Sequence, residues 1–168
     1  MKIVVTGTRG IPGIQGGVET HCSELYPRLV SMGYRVILTR RSCYITPENR
    51  ITTYRGVELV DLFSVRHSAV EAFIHTLLSI LWARKHEADV LHIHAIGPAI
   101  FVPFARLLGL KVVFTHHGPD YDRAKWGSVA KSVLRLGEKW GSKYASEVIV
   151  ISDVIRKTLE KKFNRTNT

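Results

Sequence analysis

Cysteine is scarce: Cys22 and Cys43 are the only two in 168 residues. Without a C-x-x-C spacing they supply neither a disulfide framework nor a zinc site, and they read as ordinary buried or half-buried thiols. Long apolar runs are missing as well. The longest stretch, VEAFIHTLLSILWA, carries Glu71 and His75 and falls short of the roughly 18 to 20 apolar residues that a membrane span needs. Met1 and Lys2 open directly onto a strand and glycines, not onto the charged-then-apolar pattern of a signal peptide, so a cytoplasmic protein is expected. Acidic residues are few, 14 against 24 Lys plus Arg, which leaves a formal charge of +10 and favours anionic partners. The basic residues are spread over several segments with no recognition helix or aromatic-basic alternation, which argues against nucleic acid. With 45% hydrophobic residues the chain is long enough for one well-filled domain.

Short runs of Val, Ile and Leu alternate with amphipathic segments. KIVVT, RVILT, ADVLHI, KVVFT and EVIVIS read as buried strands, and ITTYR with VELVDLF as a short strand pair around Gly56. Helices are expected from Val18 to Val30, from Val70 to Trp82, from Pro98 to Leu108, from Val129 to Trp140, and from Ser152 or Asp153 as cap to Phe163. Continuous apolar strands between helices imply a parallel sheet covered on both faces, an α/β Rossmann-like doubly wound domain. Ligands of such folds bind beyond the carboxyl ends of the strands at a topological switch point. The residues to watch are therefore the glycine loop, His94, the HHGPD segment and Ser152.

Five glycines, Gly7, Gly10, Gly13, Gly16 and Gly17, lie between the first strand and the first helix. Backbone amides at a helix start are unpaired and carry partial positive charge, so glycine there admits an anion, phosphate above all. Two patterns overlap. Gly7, Gly10 and Gly13 fit T-G-x-x-G-x-x-G, similar to the fingerprint of short-chain dehydrogenases and epimerases; Tyr121 and Lys125 add a Y-x-x-x-K pair, and Arg40 and Arg41 suit a 2′-phosphate. Against this, Pro12, Gly13, Gly16 and Gly17 keep a helix from starting at Gly10. The later pair, Gly16 and Gly17 in G-G-V-E-T, stands at the helix entry itself.

GTRGIPGIQGGVETHCSELYPRLVSMGYRV, HIHAIGP, THHGPDYDRAKWG and EVIVIS, in this order, resemble the N-terminal half of family 4 glycosyltransferases with the GT-B architecture, near the rhamnosyltransferase-type branch. The resemblance implies a retaining hexosyltransferase that moves a sugar from a nucleotide diphosphate sugar to a glycan or lipid-linked acceptor, with no other cofactor. It implies an acceptor-side domain over 1–163, a tail or hinge start at 164–168, and a donor domain outside the chain. The donor domain's glutamates eight positions apart have no counterpart here, so the chain alone is expected to be inactive. Such enzymes often work at the inner membrane face, which matches a cationic protein attached peripherally to anionic lipid. An NAD(P)-dependent reductase or epimerase and a stand-alone sugar-binding module are the other readings.

Within the resemblance Gly16 and Gly17 offer amides to the donor diphosphate, and His117, before Gly118 at a strand end, is the catalytic candidate, able to hydrogen-bond a sugar hydroxyl or the reacting centre. His116 alternates to the other side and packs. His94 either lines the acceptor pocket or is a satisfied histidine at the next helix start, and His92 is expected to face away from it. Glu19 either complements its helix dipole or touches the acceptor. Arg123 and Lys125, next to Trp126, either bind an anionic acceptor or are solvated. No carboxylate or cysteine accompanies the histidines at a ligand spacing, so no metal site is expected.

Overall fold

Strands made almost entirely of Val, Ile and Leu need apolar cover on both sides, and the helices supply it. The structure, a computed structural model, describes residues 1–67, 70–122 and 126–164. Its strands are β1 (Lys2–Thr6), β2 (Arg35–Arg41), β3 (Thr53–Tyr54), β4 (Val57–Leu62), β5 (Val90–His94), β6 (Lys111–His116) and β7 (Glu147–Val150). The α-helices are α1 (Gly17–Ser31), α2 (Glu71–Lys85), α3 (Val102–Leu107), α4 (Ser128–Tyr144) and α5 (Asp153–Phe163). One seven-stranded sheet runs in the order β3-β4-β2-β1-β5-β6-β7. Only the β3–β4 pair is antiparallel.

Alternation along the strands sorts the core into two layers. Val4, Ile37, Leu91, Ile93, Val112 and Phe114 face one side with Ile80 of α2, Val102 of α3, Leu134 of α4 and Leu159 of α5. Ile3, Val5, Val36 and Leu38 face the other side, where Cys22 and Tyr26 of α1 cover them. The strand order reverses between β1 and β5: the chain first builds outward through β2 and β4, then crosses over α2 to return beside β1. That reversal opens a crevice at the carboxyl ends of β1 and β5. At its floor Gly7 has φ +92°, and a Cβ there would run into the His94 backbone.

The expected helix from Pro98 to Leu108 is divided in two. Pro98–Phe101 forms a 3-10 turn and α3 starts only at Val102, because Pro103 has no N–H to reach back to the Ala99 carbonyl. Ser152 caps α5, its hydroxyl accepting from the Ile155 amide.

Arg40 and Arg41 are not placed for a cofactor phosphate. Arg40 is 1% exposed; it bonds Asp61 at 2.7 Å and donates to the carbonyls of Ile11, Asn49 and Ile51. Arg41 pairs with buried Glu71 at 2.9 Å. The planar guanidinium of Arg40 thus ties the glycine loop to the connection between β2 and β3. Arg40→Leu, which strands those carbonyls and Asp61, is expected to lower stability by about 3 kcal/mol. It would be seen as a reduced urea midpoint with an unchanged slope.

Candidate functional site

The crevice is shaped by one carboxylate. Glu19, in the first turn of α1 and 5% exposed, accepts from the Thr8 hydroxyl at 3.1 Å, the Arg9 amide at 2.9 Å, and the Arg9 guanidinium at 3.2 and 3.0 Å. Arg9 in turn donates to the Gln15 carbonyl. Burial opposes ionisation of Glu19, but the bonds and charge of Arg9 outweigh it and hold the carboxyl below its ordinary range. Both oxygens are therefore taken up in fastening the loop from Thr8 to Gln15 onto α1, and the acceptor contact considered for Glu19 is not what this geometry provides.

Gly16 and Gly17 differ in what they face. A Cβ on Gly16 would collide with the Glu19 carboxylate and the Arg9 guanidinium, so Gly16 is needed for the fastening itself. A Cβ on exposed Gly17 would meet nothing within 4 Å. Gly17 opens α1, and the first amides of a helix have no acceptor within it. One turn on, His21 places its ring 5.2 Å from that of His117, edge to face. Its Nε2 is buried with no hydrogen-bond partner among the described residues. The start of α1 and the end of β6 thus meet across the crevice.

Beneath His117 runs a row of buried polar side chains on the α1 side of the sheet. His117 Nε2 lies 2.8 Å from His94 Nδ1. His94 Nε2 contacts the Tyr26 hydroxyl, which lies 2.9 Å from His92 Nδ1, and His92 Nε2 is 2.7 Å from the Thr115 hydroxyl. His92 does not face away from His94. Two residues apart on a strand, they share a face, and their rings stack with centroids 4.3 Å apart. His94 is fully buried, so it supports His117 from behind instead of lining a pocket. His116 points to the opposite face, where its Nε2 meets Glu138 at 3.0 Å and its Nδ1 accepts from the Gly118 amide. Glu138 also accepts from Tyr121 and from Lys162 of α5. Burial opposes its charge, but the His116 bond and the Lys162 charge prevail and lower its pKa.

Tyr121, half of the reductase-type pair, is 7% exposed and spends its hydroxyl on Glu138 and Lys162; Lys125 and Arg123 lie outside the described residues. Among the described residues no group of three or more His, Cys, Asp or Glu could hold a metal ion, and no helix is long and apolar enough to cross a membrane. The sequence reading missed His21, Tyr26 and Thr115. Only Tyr26 left a signal, an aromatic hydroxyl on the apolar stripe of α1.

This crevice, floored by Gly7 at the strand-order reversal and rimmed by a helix start and a histidine, is that of a Rossmann-like α/β domain. Residues 15–167 match the family described as Glycosyltransferase Family 4, and the chain belongs to that family. No curated protein matches it in sequence. Among solved structures, sucrose-phosphate synthase from Thermosynechococcus elongatus is similar with a TM-score of 0.76 at 16% identity, over 96% of this chain and 45% of that one. UDP-GlcNAc 2-epimerase from Methanocaldococcus jannaschii gives 0.54 at 14% identity, over 96% of this chain and 42% of that one. A third, described as a putative UDP-N-acetylglucosamine 2-epimerase from Listeria monocytogenes, gives 0.56 at 9% identity, over 95% of this chain and 40% of that one. The chain spans less than half the length of these neighbours, and at such identities what is shared is the fold.

Burial lowers His92 to about 3 and His75 to about 3, and drives His94 well below its ordinary value. Burial, with the nearby His21 and His116, takes His117 down to about 4. These rings are neutral in the folded chain near pH 7. The unfolded chain binds their protons from about pH 6.5 downward, so stability is complete above that pH and is lost as pH falls below it. Between pH 7 and 5.5 the loss is expected to be about 1 kcal/mol for each of the buried His75, His92 and His94. Urea unfolding at the two pH values measures it.

Proposed function

We propose that this chain is the acceptor-side domain of a retaining, hexosyl-type glycosyltransferase that takes a sugar from a nucleoside diphosphate sugar and delivers it to a glycan or lipid-linked acceptor. The observation that carries the reading is the meeting of the α1 start at Gly17 with His117, bridged by His21, whose ring packs against His117 and whose Nε2 has no hydrogen-bond partner among the described residues. An anion resting on the first amides of α1 gains from their partial charge, and a sugar attached to it extends toward His117. Neutral His117 then hydrogen-bonds the sugar or the departing phosphate oxygen. Most of the donor site belongs to a second domain, so the chain alone binds weakly and does not turn over. No metal or organic cofactor enters this scheme. The family membership supports the reaction class, and two of the structural neighbours are named for a UDP-sugar. The internal engagement of Arg40, Arg41 and Tyr121 weighs against a dinucleotide-dependent reductase.

Gly17 isolates the point, because a side chain there meets open space and leaves the fold alone. Gly17→Val is expected to keep stability within about 0.5 kcal/mol while abolishing the weak binding of a nucleoside diphosphate such as UDP or TDP, followed by amide chemical shifts. Undiminished binding by Gly17→Val, or tighter binding of NADPH than of either nucleotide, would count against the proposal.

We propose peripheral attachment to anionic lipid as well, on a separate observation. Lys131, Arg135, Lys139 and Lys143 form an i,i+4 row along α4 with no ion-pair partner among the described residues, while Glu138, the helix's one acid, is turned inward. Like charges at this spacing repel by a few tenths of a kcal/mol per pair, a cost that an anionic surface removes. Cosedimentation with anionic vesicles is expected to fall as salt rises and to be lost when the four cations become Gln. Equal partitioning into neutral vesicles would reject the attachment.

A further inference from the structure

The polar row beneath His117 consists of five groups and four contacts in series: Thr115 Oγ1 to His92 Nε2, His92 Nδ1 to Tyr26 OH, Tyr26 OH to His94 Nε2, and His94 Nδ1 to His117 Nε2. A neutral imidazole carries one donor and one acceptor nitrogen, and a phenol carries one proton. Each of His92, Tyr26 and His94 must therefore accept on one side if it donates on the other. Tyr26 is fully buried and its hydroxyl has no third partner among the described residues. Three arrangements make all four bonds: every proton points toward Thr115, every proton points toward His117, or Tyr26 accepts from both histidines. The third leaves the Tyr26 proton buried without an acceptor and is excluded by its desolvation penalty.

The two ends decide between the other two. Thr115 is fully buried, and His92 is its hydroxyl's one partner among the described residues. If the chain pointed toward Thr115, that hydroxyl would accept from His92 and its own proton would be left buried without an acceptor, which incurs the full desolvation penalty. If the chain points toward His117, the Thr115 proton goes to His92 and every buried donor is satisfied. The far end imposes no opposing demand, because His117 is half-exposed and either of its nitrogens can be met by water or ligand.

We infer that the chain runs from Thr115 through His92, Tyr26 and His94 to His117, and that it holds His117 as the Nδ1–H tautomer, which presents a hydrogen-bond donor to a ligand oxygen instead of a proton acceptor. Thr115 and Tyr26 are positioning residues, acting on a group about which the local sequence around His117 says nothing. Because His117 Nε2 is already accepting from His94, protonating it as well would break that bond. The low pKa of His117 agrees with this. The inference builds on the reading of the crevice as a sugar-transfer site only in giving the donor something to meet; the tautomer itself is a property of the free chain.

Long-range proton–nitrogen spectra of the uniformly nitrogen-15-labelled 168-residue chain at pH 7.5 read the tautomer of each ring without ligand or activity. His117 is expected to show a protonated Nδ1 and an unprotonated Nε2, in a ratio of at least about tenfold, the bias that one unsatisfied buried donor imposes. Thr115→Val removes the group that sets the direction and is expected to shift His117 toward the Nε2–H form that free imidazole favours, while Thr115→Ser retains the wild-type pattern. Tyr26→Phe is expected to uncouple His117 from His92 in the same way. Wild-type His117 found mainly as Nε2–H overturns the inference outright, even if the variants do not fold. A Thr115→Val spectrum identical to wild type overturns the role of Thr115. Failure of nucleoside diphosphate binding would touch only the proposed function.

Discussion

The close approach of Gly7 to the His94 backbone is the constraint from which the site follows. With no Cβ on Gly7, the ends of β1 and β5 draw together where the strand order reverses. The chain then leaves β1 along the crevice instead of away from it and enters α1 late, at Gly17. Tyr26 consequently lands over β5, within reach of both His92 and His94. A side chain at position 7 would push β5 outward and separate the tyrosine from the histidines it joins.

Charge does geometric work here more than it adds stability. The Arg9–Glu19 and Arg40–Asp61 pairs each have one largely buried member, and such pairs recover little more than the cost of leaving water. Both fasten the same stretch of loop: Arg9 from the α1 side, Arg40 from the carbonyls of Ile11, Asn49 and Ile51. A loop with so many glycines has wide conformational freedom, and two planar guanidiniums with several fixed acceptors each restrict it to one path. The positive charge of this chain is therefore partly internal scaffolding, distinct from the cationic row on α4.

Much of the fold was legible because strands and helices announce themselves locally. The apolar runs marked β1, β2, β5, β6 and β7, Gly56 marked the β3–β4 turn, and Ser152 marked the α5 cap. The break before α3 could have been read from Pro103. The site was legible only as positions at strand ends. His92, expected to face away from His94, lies beside it, as two-residue periodicity along β5 requires. The true work of Glu19 and Arg40 depends on residues far along the chain, ten positions away for Arg9 and 21 for Asp61, and no spacing rule encodes such meetings. His21 and Thr115 carry no local sign for the same reason, and the one sign of Tyr26 is its hydroxyl on an apolar stripe: each acquires its role only when α1 is laid across the sheet.

On the other face, His116, Glu138, Tyr121 and Lys162 link β6, α4 and α5 in one polar knot. Lys162 stands near the end of α5, and His116 is the immediate neighbour of His117. The knot is a short mechanical linkage. Three side chains, Lys162, Glu138 and His116, thus join the last turn of α5 to the peptide that precedes His117 without passing through the crevice, so the posture of His117 is braced from the face of the sheet opposite its histidine row.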